Sequence, residues 1–110
     1  MTRIADAVQR ARLVEQLRTL ADFLDARPEL PLSPHACLDV LYFPGGDDEV
    51  QRAEVRRVAG LLGTEPVDEG EHLVAQHRIG RAAYRAVAIP EQVQARYRAL
   101  LTYTDRVHPD

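Results

Sequence analysis

Lysine, asparagine and tryptophan are absent from this 110-residue sequence, and all fourteen basic residues are arginine. Lysine and asparagine have AT-rich codons, whereas arginine and the abundant alanine have mostly GC-rich ones. The arginine count therefore reads as the mark of a GC-rich genome more than as selection for phosphate contacts. A formal charge of −3 points the same way, because a domain that tracks phosphates carries a basic footprint. The single cysteine, Cys37, excludes an internal disulfide and a cysteine-rich metal cluster, and it fits a reducing compartment. No apolar run approaches the roughly 20 residues of a membrane span, and the start of the chain lacks the charged-then-apolar layout of a signal peptide. A cytoplasmic location with no membrane contact is expected. With 45% hydrophobic residues, the length predicts one folded domain over 1–110, with disorder confined to the ends and a linker.

Hydrophobic spacing predicts the elements. A first helix is expected over about 2–27, with Leu13, Val14, Leu17, Leu20, Ala21 and Leu24 on one stripe. Ile4 and Val8 fall on nearly the opposite side. The stripe is expected to rest on the domain's own sheet. Val14, Leu17, Ala21 and Leu24 also follow a and d positions over two heptads, which makes them the candidate interface with another subunit. Pro28, Pro31 and Pro34 define a linker over 28–35 whose three-residue spacing would align them in a polyproline II segment. An α/β core follows over 36–104. Ala36 to Phe43 alternates as a strand, with Ala36, Leu38, Val40 and Tyr42 toward the core. Pro44-Gly45-Gly46 ends it. Asp47 or Asp48 caps a second helix that runs to Leu62 and buries Val50, Val58, Leu61 and Leu62, and the Asp48–Gln51 spacing suits a capping box. Gly63 stops this helix. Turn signals at Asp68-Glu69-Gly70 and Gly80 divide the next stretch into strands at about 65–68, 72–79 and 82–89. Pro90 opens a closing helix with Val93, Tyr97, Leu100 and Leu101 on its apolar face, before a polar tail over 105–110. The expected class is α+β in the order α-β-α-β-β-β-α, with a mostly antiparallel four-stranded sheet packed by helices.

Few residue clusters carry chemistry. Pro44-Gly45-Gly46 leading into a helix has the form of a phosphate loop, but Asp47, Asp48 and Glu49 would repel an anion there and no lysine is available to reach one. Capping is the reading. His35, Cys37 and Asp39 alternate, so a continuous strand would put all three on one face, yet they supply only part of a metal or catalytic set. His72 and His77 are five apart and fall on opposite strand faces. No cofactor and no metal is expected. Arg52, Arg56, Arg57, Arg78, Arg81 and Arg85 could converge into a nucleic-acid-binding surface, although interspersed glutamates favour a solvated face of mixed charge.

The runs Phe43-Pro44-Gly45-Gly46-Asp47-Asp48, Arg57 to Gly63 and Tyr84 to Pro90 together resemble small uncharacterised proteins of actinobacteria and their phages or mobile elements. That resemblance implies a setting and no activity. The α-β-β-β-α order from Asp48 to Thr104 is similar to a double-stranded RNA-binding domain, a family that spans phosphates with a lysine-rich start to its last helix; here that helix begins Pro90-Glu91-Gln92. The expectation is a small non-enzymatic accessory protein that binds a protein partner or itself. A nucleic-acid-associated regulator using the arginines is the alternative, and a small enzyme centred on Cys37 the third.

Overall fold

The structure, a computed structural model, describes residues 4–96. Within them the chain divides after Ala36 into two compact units. The first holds one helix, α1 (Ala7–Asp25). It starts later than the apolar pattern suggests because Asp6 caps it. The Asp6 carboxylate accepts the Gln9 N–H at 2.8 Å while Gln9 Oε1 accepts the Asp6 N–H at 3.0 Å, a reciprocal capping box. Beyond α1 the proline-rich segment is not an extended polyproline rod. It turns twice, with Leu30 N–H donating to the Arg27 carbonyl and Ala36 N–H to that of Ser33. Two such bonds bend the backbone where continuous polyproline II would leave it solvated.

The second unit contains β1 (Leu38–Tyr42), α2 (Asp48–Leu62), β2 (Val67–Glu69), β3 (His72–Ile79) and β4 (Ala82–Ala88). Helical residues 91–96 follow. The fold is α+β in the expected order. The sheet runs β1-β4-β3-β2 and is mixed, which corrects the expectation of a mostly antiparallel one: β2–β3 and β3–β4 are antiparallel hairpins, whereas β1 joins parallel to β4. The cause is α2. A 15-residue helix between β1 and β2 carries the chain back along the sheet, so both strands run the same way, and the hairpins then bring β4 beside β1.

Two hairpin turns open on Gly70 and Gly80. The core lies between α2 and one sheet face, where Val55, Val58 and Ala59 pack on Leu73, Ala75, Ala86 and Ala88. Small strand residues let the helix sit close. The buried stripe of α2 is Gln51, Val55, Val58 and Ala59. This corrects two expected core positions, since Val50 is 54% and Leu61 73% exposed. The misreading has a physical source: Gln51 occupies a buried turn of the stripe, and a polar residue there shifts the apparent apolar face by one position. Gly63 ends α2 with φ 71°, and its N–H and that of Thr64 return to the Gly60 and Ala59 carbonyls as a Schellman motif. Of the closing helix's predicted face, Val93 is buried; Tyr97, Leu100, Leu101 and the tail lie outside the described residues.

The junction from β1 to α2 is fixed by three side chains. Asp47, not Asp48, is the cap, accepting the Val50 N–H at 2.9 Å. Asp48 instead reaches the Glu91 N–H at 2.7 Å. Gln51, 2% exposed, donates from Nε2 to the Gly46 carbonyl at 2.9 Å and accepts the Ile89 N–H at 3.1 Å. It thereby ties the loop after β1 to the end of β4. Gly46 has φ 98°, and a Cβ on it would stand 2.8 Å from Val50 Cγ1. Gly46→Ala is expected to destabilise the fold by about 2 kcal/mol, from left-handed strain plus that clash. Chemical denaturation of the two chains checks this.

Candidate functional site

The first candidate surface is the stripe on α1. No residue of this 19-residue helix is buried. Leu13 and Leu20 are 44% and 45% exposed, Val14 and Ala21 are exposed, and Leu17 and Leu24 are half-buried. Ile4 and Val8, on the other side, are still more exposed. At the end of the helix the Arg27 guanidinium lies 4.0 Å above the Phe23 ring, a cation–π contact that steadies the last turn.

The six arginines proposed for nucleic acid do not share a surface. Arg52, Arg56 and Arg57 come from α2, on one side of the sheet. Arg78 and Arg85 leave the other side, as strand alternation and the register against Ala83 and Gln76 require, and Arg81 lies in the β3–β4 turn. Several are already held by carboxylates. Arg52 meets Asp68 at 3.4 Å, Arg57 grips Glu54, and Arg85 bonds Glu69 at 2.6 Å with Asp39 at 4.0 Å. Arg96 adds a pair with Glu71 at 2.9 Å. These contacts realise the mixed-charge face that the interspersed glutamates suggest.

A polar cluster that sequence reading passed over sits where β1 meets α2. The Tyr42 hydroxyl donates to Glu54 Oε2 at 2.9 Å, and Arg57 holds the same carboxylate through two nitrogens at 2.7 and 2.9 Å. Burial first, then the bond to Glu54 and its charge, pushes the Tyr42 hydroxyl above its ordinary value. The Arg57 hydrogen bonds hold the Glu54 carboxyl below its own, against a smaller opposing effect of burial. Because Glu54 is lower folded than unfolded, its contribution to stability is present above about pH 4.5 and lost as pH falls through the folded value. Tyr42 is higher folded than unfolded, so its contribution is complete below about pH 10 and lost as pH rises through the folded value. Tyr42→Phe is accordingly expected to flatten the alkaline limb, measured as urea midpoints from about pH 9 upward. The sequence signal was present only as an aromatic and a glutamate twelve residues apart, which nothing local connects.

The loop after β1 borders a cleft of about 290 Å³ lined by Phe43, Gly45, Gly46 and Gln51 on one side and Ile89 and Gln94 on the other. Its polar groups bond to the chain itself: Gln51 as described, and Gln94 Nε2 to the Ile89 carbonyl at 2.8 Å. Asp47 and Asp48 already occupy the Val50 and Glu91 N–H groups. The loop thus performs the capping role read from its charges. Cys37 is exposed and, with His35, lies ahead of β1, so strand alternation does not align the pair with Asp39. Among the described residues, no group of three or more His, Cys, Asp or Glu side chains is placed to hold a metal ion. Among them too, no helix is long and apolar enough to cross a membrane. Comparison with protein-family models, curated proteins and solved structures finds no match to the chain.

Proposed function

We propose that this chain is a small non-enzymatic binding or accessory protein that acts through protein–protein contacts, with the α1 stripe as its contact surface. One observation carries the reading: a 19-residue helix with an apolar stripe buries none of its residues. Most helical stability in proteins comes from packing an amphipathic face against a neighbour, not from propensity. A helix capped at its start and patterned along one side is therefore built for a partner. The resemblance to small proteins of actinobacteria and their phages or mobile elements supplies a setting for such a role and no activity. The pairing of Arg52, Arg57 and Arg85 with carboxylates weighs against phosphate as the partner.

The test is a photocrosslinking amino acid at Leu20, on the edge of the stripe, irradiated in the cells that make the protein. Covalent adducts to protein are expected, and Leu17→Glu should abolish them. Adducts to nucleic acid, or none at all, would overturn the reading.

A further inference from the structure

We infer that the partner of the α1 stripe is the α1 of a second copy, running antiparallel. This rests on the binding reading above and adds to it the identity and direction of the partner. Three features of the helix carry it. The first is side-chain size. With Val14, Leu17, Ala21 and Leu24 at successive a and d positions, an antiparallel pair sets Leu17 against Ala21 of the other copy and Val14 against Leu24. Every layer then joins a large residue to a smaller one. A parallel pair would set Ala21 against Ala21 and leave a gap between two leucine layers.

The second feature is charge at the ends of the stripe. Arg10 continues the stripe one turn before Val14, and Asp25 borders it one residue after Leu24. Antiparallel packing brings Arg10 of one copy toward Asp25 of the other, at both ends of the pair. Parallel packing would bury Arg10 beside Arg10. The third feature is the helix dipole. The first turn of α1 contains no acidic residue and the last turn no basic one, while Asp22 and Asp25 stand at its negative end. The N-cap Asp6 complements the dipole at the start, but Asp22 and Asp25 oppose it at the end, and an antiparallel neighbour, presenting its positive end there, compensates them.

Two single-cysteine chains test the inference, Val14→Cys and Leu24→Cys, each combined with Cys37→Ser. Cysteine is small and apolar, so the stripe survives either change. Oxidised separately, each chain is expected to stay mainly free of disulfide; mixed before oxidation, most of the protein should become the mixed Val14→Cys/Leu24→Cys disulfide. Self-disulfides in the separate samples would show a parallel pair and overturn the inference. So would a mixture without disulfides whose parent chain has the mass of one copy. Hydrogen exchange over residues 7–25 of that single copy then separates the two readings. Fast exchange would leave the stripe open to a different protein, whereas strong protection would show it covered within the chain and remove the binding reading as well.

Discussion

Gln51→Leu is expected to lower stability by about 3 kcal/mol and the thermal midpoint by roughly 10–15 °C. The side chain is 2% exposed and bonds two backbone groups that no strand partner reaches, the Gly46 carbonyl and the Ile89 N–H. Leucine has a similar volume, so packing changes little. What changes is that a buried donor and a buried acceptor lose their partners, each worth about 1–3 kcal/mol. Gln51→Glu separates the two bonds. Its carboxylate still accepts from Ile89 but cannot donate to Gly46, so its loss should exceed that of a neutral change and shrink at acid pH, where the protonated group regains a donor. Differential scanning calorimetry of the three chains at two pH values measures this. Equal midpoints for wild type and Gln51→Leu would show that the latch contributes nothing.

The second large effect concerns association. The double change Leu17→Glu and Leu24→Glu is expected to weaken pairing of two copies by about a hundredfold or more, because each buried leucine contributes about 1.5–3 kcal/mol and each substitution enters twice in a symmetric pair. The same change should leave unfolding of the second unit unaltered. The buried cluster of that unit, Val55, Val58, Ala59, Leu73, Ala75, Ala86 and Ala88, is built on α2, β3 and β4, with Tyr42, Leu62 and Tyr84 packed around it. Sedimentation over a dilution series reads the first quantity and denaturation monitored at the tyrosines the second. Loss of both together would place the stripe in the folding core and not at an interface.

The features legible in the sequence are those fixed within a few residues. Gly63 marks the end of α2, and the turn signals at Gly70 and Gly80 mark two hairpins, giving β3 at the expected 72–79 and β4 at 82–88, one residue short of the expected 82–89. The α1 stripe was legible too, as was an acidic cap at Asp47 or Asp48, although the Asp48–Gln51 spacing pointed to the wrong one of the two. Nonlocal features were not. Whether β1 pairs parallel or antiparallel depends on where α2 returns the chain, which no residue of Leu38–Tyr42 encodes. The shift of the buried face of α2 depends on Gln51 finding Ile89 thirty-eight residues away. Hydropathy scores a glutamine as exposed regardless of whether both ends of its amide are bonded. The Tyr42–Glu54–Arg57 cluster was hidden for the same reason. Conversely, the arginines looked like a group along the chain and are dispersed in space, because α2 and the strand face bearing Arg85 lie on opposite sides of the sheet.

The measurement closest to the central claim is the solution mass of the purified protein by light scattering, with the ratio of absorbance at 260 and 280 nm read across the same peak after low-salt purification. A mass of two chains, near twice 12.4 kDa, with the absorbance ratio of protein alone is the predicted result. A single-chain mass would contradict the pairing of two copies, and a peak carrying nucleic acid that salt removes would contradict the protein-contact reading and move attention from the α1 stripe to the arginines.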